Sequence, residues 1–244
     1  MILSYLIGLK GTKKALAWLI DPDKYDTENF WIQMESVGDI GVDLILVGGS
    51  LISNHVDNLI AAIKSKTSIP VILFPGSPLQ LSSQADAILL LSLISGRNSE
   101  YLIGNHVISA PFLRKSGIEI LPTGYMLVNG GQQTSVSYMS NTQPIPADKP
   151  DIALATAMAG EMLGLKVIYL DAGSGAQNPV PAKMIEVIST EINLPIIVGG
   201  GIRTSDDVRK AYQAGADVLV IGNATESSQN CLEELIAERN RFNT

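Results

Sequence analysis

The chain has 244 residues, 46% of them hydrophobic and 17% charged, with a formal net charge of −7. That length suits one domain with a sizeable core, and the acidity makes the chain a poor partner for nucleic acid or an anionic membrane surface. The single cysteine, Cys231, excludes an intramolecular disulfide and points to a reducing cytoplasm.

Short apolar runs alternate with longer amphipathic stretches along the whole sequence. Ala15–Ile20 reads as a first buried strand, followed by a helix over residues 27–37 with Thr27 and Glu28 at its start. A second strand, 43–47, ends in Gly48-Gly49-Ser50. A helix over 53–64 follows, capped by Ser53 or Asn54. The third and fourth strands are 70–74 and Ala87–Leu93. Residues 99–116 read as a helix broken or bent near Pro111. The fifth strand lies within 118–128, and a helix spans 149–163. Val167–Asp171 is the sixth strand, with a helix over 181–190. The seventh strand, 194–198, leads to a helix over 205–214 with Ser205 as its N-cap. Val218–Ile221 is the eighth, and 231–241 is the closing helix.

Eight short, doubly buried strands alternating with helices imply a parallel sheet covered on its outer face. Eight units in one domain over residues 1–244 indicate a closed (β/α)8 TIM barrel. One unit is irregular. Between Phe74 and Ala87 two prolines and a glycine leave little room for a covering helix, so the third helix is expected to be missing or degenerate. The longest stretch without a pattern is 129–148. It follows the fifth strand and should lie over the catalytic mouth.

The apolar N-terminal residues 1–9 precede Lys10, Lys13 and Lys14, the reverse of a secretory signal. The apolar runs fall well short of the roughly 20 residues of a membrane helix, so no transmembrane segment is expected.

Chemistry in such barrels collects where strands end at the C-terminal face. The sixth strand ends in Tyr169-Leu170-Asp171-Ala172-Gly173-Ser174-Gly175. Tyr169 and Asp171 are two apart and share a side. Asp171 is a candidate general base with Tyr169 beside it, or a carboxylate that only binds a substrate hydroxyl. Gly199-Gly200-Gly201 and Gly222-Asn223 close the seventh and eighth strands. Adjacent glycine loops there let backbone amides approach a phosphate, although tight turns alone would explain them. The first strand ends in Asp21-Pro22-Asp23, and Ser50 closes its neighbour. Asp21 with Ser50 supplies hard oxygen donors suited to Mg2+ carrying a phosphorylated substrate; the alternative is a turn whose aspartates cap backbone amides. Of the two histidines, His106 reads as a structural polar contact and His55 as a helix-surface residue. Cys231 reads as core.

These residues together resemble the geranylgeranylglyceryl phosphate synthase family, including its heptaprenylglyceryl phosphate synthase relatives. The similarity runs over nearly the whole chain. It rests on Ile20-Asp21-Pro22-Asp23-Lys24, Gly48-Gly49-Ser50, Gly124-Tyr125 with Val128-Asn129, Tyr169 to Gly175, Gly199-Gly200-Gly201-Ile202 and Gly222-Asn223. The version of the sixth strand and the long 129–148 loop are closer to the branch with archaeal and some bacterial members. Family members often carry Glu where this chain has Asp171, and one branch carries Lys where it has Leu19.

The resemblance implies a barrel with a degenerate third helix and Mg2+ on Asp21 and Ser50. It implies sn-glycerol 1-phosphate on Tyr169, Leu170, Asp171, Ala172, Gly173, Ser174, Gly175, Gly200, Gly201, Gly222 and Asn223. The activity implied is a prenyltransferase of ether phospholipid biosynthesis. It joins the C3 hydroxyl of glycerol 1-phosphate to a prenyl diphosphate, geranylgeranyl diphosphate by expectation, and releases pyrophosphate. Leu73, Leu79, Leu81, Leu90, Leu93 and Ile94, around the missing helix, are candidates for lining the prenyl groove or for plain core. The family also implies a homo-oligomer, a dimer or hexamer, and Met158 and Met162 on the 149–163 helix face either that interface or the core. Two rival readings are an isomerase or aldolase on the same barrel and a non-catalytic barrel that binds a phosphorylated metabolite. Neither gives Asp21 with Ser50 a purpose.

Overall fold

The computed structural model describes residues 1–25, 28–222 and 229–243. The chain opens with α1 (Ile2–Leu9) and then alternates β1 (Ala15–Ile20), α2 (Glu28–Ile40), β2 (Leu44–Val47), α3 (Val56–Lys66) and β3 (Val71–Leu73). β4 (Ala87–Leu93) leads to α4 (Asn105–Ser116), and β5 (Glu119–Leu127) to α5 (Ser135–Ser140) and α6 (Pro150–Met162). The last units are β6 (Val167–Asp171), α7 (Ala182–Glu191), β7 (Ile196–Gly199), α8 (Ser205–Gln213), β8 (Val218–Ile221) and α9 (Gln229–Asn240). The strands pair in parallel, each with the next, and β8 closes on β1. The expected (β/α)8 barrel is therefore present.

The strands are apolar on both faces because both faces are buried. One set, including Leu16, Ile45, Ile88 and Leu170, packs under the helices. The other, including Ala17, Leu46, Leu89 and Val220, fills the barrel. Leu6 and Leu9 of α1 join this second set, so α1 plugs the N-terminal end of the barrel. Glu119 fixes its start by accepting from the backbone N–H groups of Ile2 and Leu3 at 2.6 and 3.0 Å. The sequence pattern gives no expectation of this helix, since residues 1–9 are apolar nearly throughout and show no polar face.

The third helix is degenerate, as expected. A single 3-10 turn at Pro78–Gln80 stands between β3 and β4. The buried Gln80 amide supplies part of what the helix would have. Its Nε2 donates to the Gly49 carbonyl at 2.9 Å, and its Oε1 accepts from Gly76 N–H at 3.0 Å.

Four local expectations need correction. Helix α3 begins at Val56 with His55 at its N-cap position, so neither Ser53 nor Asn54 caps it. Helix α4 runs through Pro111 without a break, and its irregularity is a π turn at Glu100–Gly104. Proline removes only its own N–H, and that side of the helix is exposed, as at Val107, so water can serve the freed carbonyl. The N-cap of α8 is Thr204 rather than Ser205, in a reciprocal box with Asp207. The 129–148 stretch is not structureless. It carries α5, and Val128 bridges to Ile145 beyond it. Six residues are too few to show a helical period. The expected start of α2 at Thr27 lies outside the described residues.

Candidate active site

The C-terminal ends of the strands surround a cavity of about 210 Å³. β1 and β2 bring Asp21, Gly49 and Ser50 to one side of it. The loop after β6 brings Gly173, Ser174 and Gly175, and the loops after β7 and β8 bring Gly200, Gly201 and Gly222. Tyr169 and Asp171 line it from β6. Most sequence-predicted positions are thus gathered in one place. Leu170 and Ala172 are not: both side chains pack into the helix-facing core, and the Ala172 N–H is spent on the Gly199 carbonyl at 3.0 Å. Alternation along β6 is the reason. Asn223 lies outside the described residues.

Asp171 is 6% exposed. Its Oδ1 accepts from the Gly173 N–H at 2.7 Å and its Oδ2 from the Tyr125 hydroxyl at 2.5 Å. Burial pushes this carboxyl above its ordinary value, and the hydrogen bonds from Tyr125 and Gly173 pull the other way. The residue that orients Asp171 is therefore Tyr125, and Tyr169 stands beside the pair. Tyr125 and Tyr169 are register partners on β5 and β6, with ring centroids 5.5 Å apart and nearly perpendicular. Phe74 stacks on Tyr169 at 5.2 Å and meets Tyr125 edge-on at 6.0 Å. Burial, and then the Asp171 charge, keep both phenols protonated well beyond their ordinary range.

The glycine loops form a cup that packs tightly round the acid. Gly200 has φ +80°, and a Cβ there would lie 2.7 Å from Asp171 Oδ1 and 2.6 Å from the Gly173 nitrogen. Only glycine fits so close to the acid and its neighbouring amide. Arg203, which the sequence reading missed, also lines the cavity. Its guanidinium donates to the carbonyls of Ala176 and Gln177, which anchors a positive charge beside the cup. The signal for it was a cation two residues past the Gly199–Gly201 loop.

On the opposite side, both aspartates cap backbone amides, and they differ in which side chain reaches the cavity. Asp23 caps backbone, accepting from the N–H groups of Ser53 and Asn54 at 2.9–3.0 Å. Asp21 faces the cavity, and its carboxylate accepts the Asp23 N–H at 3.0 Å. Among the described residues, no group of three His, Cys, Asp or Glu side chains is placed to hold a metal. One carboxylate and one hydroxyl still suit Mg2+, which characteristically takes few protein oxygens and completes its shell with substrate phosphate and water.

A second, apolar groove opens beside this cavity, over the missing helix. Leu81, Leu90 and Leu93 line it, with Ile88, Leu89, Tyr101 and Met139. Of the other groove candidates, Leu73 and Ile94 are core, and Leu79 projects into solvent. His106 also lines the groove and meets Ser92 Oγ at 3.1 Å, a structural polar contact as expected; burial lowers its pKa. Gly49, Ser50, Phe74 and Val136 line both spaces, so the groove leads into the mouth.

The PcrB family profile matches residues 11–239. The chain belongs to the PcrB family. Its family relatives include the geranylgeranylglyceryl phosphate synthase of Spirosoma linguale, 54% identical over 95% of this chain and 93% of the relative. That of Chitinophaga pinensis is 53% identical over 91% of this chain and 88% of the relative. A crystal structure of the (S)-3-O-geranylgeranylglyceryl phosphate synthase of Thermoplasma acidophilum, in complex with sn-glycerol 1-phosphate, superposes with a TM-score of 0.93. It is 33% identical, and the match covers 99% of each chain. The family resemblance drawn from the strand-end motifs is therefore borne out.

Proposed function

We propose that this chain is a geranylgeranylglyceryl phosphate synthase, a prenyltransferase that joins sn-glycerol 1-phosphate to geranylgeranyl diphosphate through an ether bond. The observation that carries this reading is the continuity of a polar, glycine-lined mouth with an apolar groove through Gly49, Ser50, Phe74 and Val136. A phosphorylated alcohol and a diphosphate with a long apolar tail need that pairing. An isomerase or aldolase acting on one small metabolite has no use for the groove.

In this reading, Gly200, Gly201, Gly222 and the Ser174–Gly175 turn hold the phosphate of glycerol 1-phosphate, with the Arg203 charge beside them. The bound alcohol presents its C3 hydroxyl to Asp171. The C1–O bond to diphosphate breaks as the C3 oxygen bonds to C1. The hydroxyl proton passes to Asp171 and pyrophosphate leaves with the C1–O electron pair. Tyr125 and the Gly173 amide keep the carboxylate in one rotamer, so the base is preorganised. Asp21 and Ser50 would hold Mg2+, which supplies charge neutralisation for the departing diphosphate. The aromatic trio of Phe74, Tyr125 and Tyr169 shields the reacting carbon from water and offers ring faces to developing positive charge.

The exposed Ile103 of the π turn and Val107, Ile108 and Phe112 of α4 support a homo-oligomer, a dimer or hexamer, which light scattering would test. Met162 on α6 is exposed and suits an interface, whereas Met158 packs on the core. Among the described residues, no helix is long and apolar enough to cross a membrane.

The test is incubation of the purified chain with radiolabelled sn-glycerol 1-phosphate, Mg2+ and prenyl diphosphates of several lengths. A labelled ether lipid is expected, with geranylgeranyl diphosphate the best donor. No product from any donor would overturn the reading.

A further inference from the structure

Helix α5 stands where the mouth and the groove meet. Ser135 lines the mouth, Met139 lines the groove, and Val136 lines both. The helix is tied at each end to a different strand-end loop. At its start, the buried Thr134 forms a capping box with Ser137 and fits against Gly173 of the phosphate cup, where a Cβ would lie 2.5 Å from the Thr134 methyl. At its end, the Ser140 carbonyl accepts from Asn98 Nδ2 at 2.7 Å, in the loop after β4, and the Met139 carbonyl from the Tyr101 hydroxyl at 3.2 Å. Val136 is thereby held between the two loops and packs onto the barrel interior.

Phe74 and Gly49 line the same junction. Phe74 is fixed by its stack on Tyr169 and its edge contact with Tyr125. Gly49 is pinned through its carbonyl by Gln80. Valine on a helix is itself restricted to essentially one rotamer. Val136, Phe74 and Gly49 therefore line the junction of mouth and groove, each held by packing or hydrogen bonds of its own segment.

We propose that Val136 is a specificity-determining residue for the prenyl donor: held by α5 at the junction of mouth and groove, which Phe74 also lines, it narrows the passage through which the chain leaves the reacting carbon. This rests on the prenyl-transfer reading above. The passage lies next to C1, where every prenyl diphosphate carries a methyl branch at C3. A branched, planar allyl unit must pass, and a bulkier one must not. Discrimination at the level of one methylene is what an apolar wall of this kind can deliver.

The experiment uses the full chain with Mg2+ and compares farnesyl and geranylgeranyl diphosphates with their analogues carrying ethyl in place of methyl at C3. Val136→Ala is expected to raise kcat/KM for the ethyl analogues relative to the natural donors by about tenfold. Val136→Phe is expected to raise KM for every prenyl diphosphate by about tenfold or more, with the dissociation constant of sn-glycerol 1-phosphate within about twofold of the parent. A Val136→Ala variant with an unchanged ethyl-to-methyl ratio overturns the assignment, and this variant decides the matter if Val136→Phe does not fold. Equal loss of affinity for both substrates in Val136→Phe also overturns it. No ether product from the unaltered chain with any donor overturns the reaction and the passage together, which separates that failure from a failure of Val136 alone.

Discussion

Tyr125 on β5 donates its phenolic proton to Asp171 on β6 at 2.5 Å, across a barrel whose register pairs Asp171 with Leu127 and Tyr125 with Tyr169. The hydrogen bond therefore runs diagonally, from one strand to a position two residues farther along its neighbour. It gives a buried acid a fixed direction and tunes its proton affinity.

The sign of that tuning can be measured. Burial raises the Asp171 pKa, and the Tyr125 hydrogen bond lowers it. A base must be ionised to act, so kcat/KM should fall on the acid side at a pH above the ordinary aspartate range. Tyr125→Phe removes a lowering influence, which moves that acid limb to still higher pH and reduces kcat at neutral pH by about ten- to a hundredfold. An acid limb that stays put in the pH–rate profile of Tyr125→Phe would show that Asp171 is not the base.

Gly200→Ala places a methyl group against Asp171 Oδ1 and the Gly173 nitrogen, at a φ of +80°. Stability should fall by about 1–3 kcal/mol in urea unfolding. Affinity for sn-glycerol 1-phosphate in calorimetry should fall by more than tenfold, since the cup must open by about that strain energy.

Asp21→Ala should abolish ether formation and weaken diphosphate binding, with little change in thermal midpoint, because Asp21 faces the cavity and not the core. Glycerol 1-phosphate binding should persist. Full turnover by the parent chain in the presence of a chelator would sink the Mg2+ assignment to Asp21 and Ser50.

At the far end of the barrel the nearly buried Arg239 guanidinium pairs with the Asp43 carboxylate and donates to the Gly41 carbonyl. Burial raises the Asp43 pKa, against the lowering effects of the Leu16 amide and then Arg239. Arg239→Met leaves the acid half-buried and unpaired. It should cost about 2–3 kcal/mol, below the full value for a buried pair because Asp43 keeps some exposure. Denaturant curves should show the loss while kcat stays unchanged, since this pair lies at the opposite end of the barrel from the mouth.

Much of the site was legible because barrel strands end in loops whose composition reports their use. Asp21, Ser50, Asp171 and the glycines after β6 and β7 were each visible as an acid, a hydroxyl or a small residue closing an apolar run. Tyr125 was quoted as part of a motif without its partner, because a contact between residues 46 apart in sequence leaves no local trace. Arg203 carries a local signal, a cation just past a glycine loop, whereas Val136 has none, because a valine in a short segment looks the same in a site or in a core.

The sequence alone determined the strands, their alternation with helices, the missing third helix and the acids at the mouth. Those follow from hydrophobic period and turn chemistry, which are local and survive in any tertiary context. Only the tertiary structure decided that α1 plugs the barrel, that Tyr125 holds Asp171, and that α5 stands between the glycine-lined mouth and the groove. Each depends on closure of the barrel, which fixes register and brings distant strand ends within bonding distance, and closure is a property of all eight strands at once.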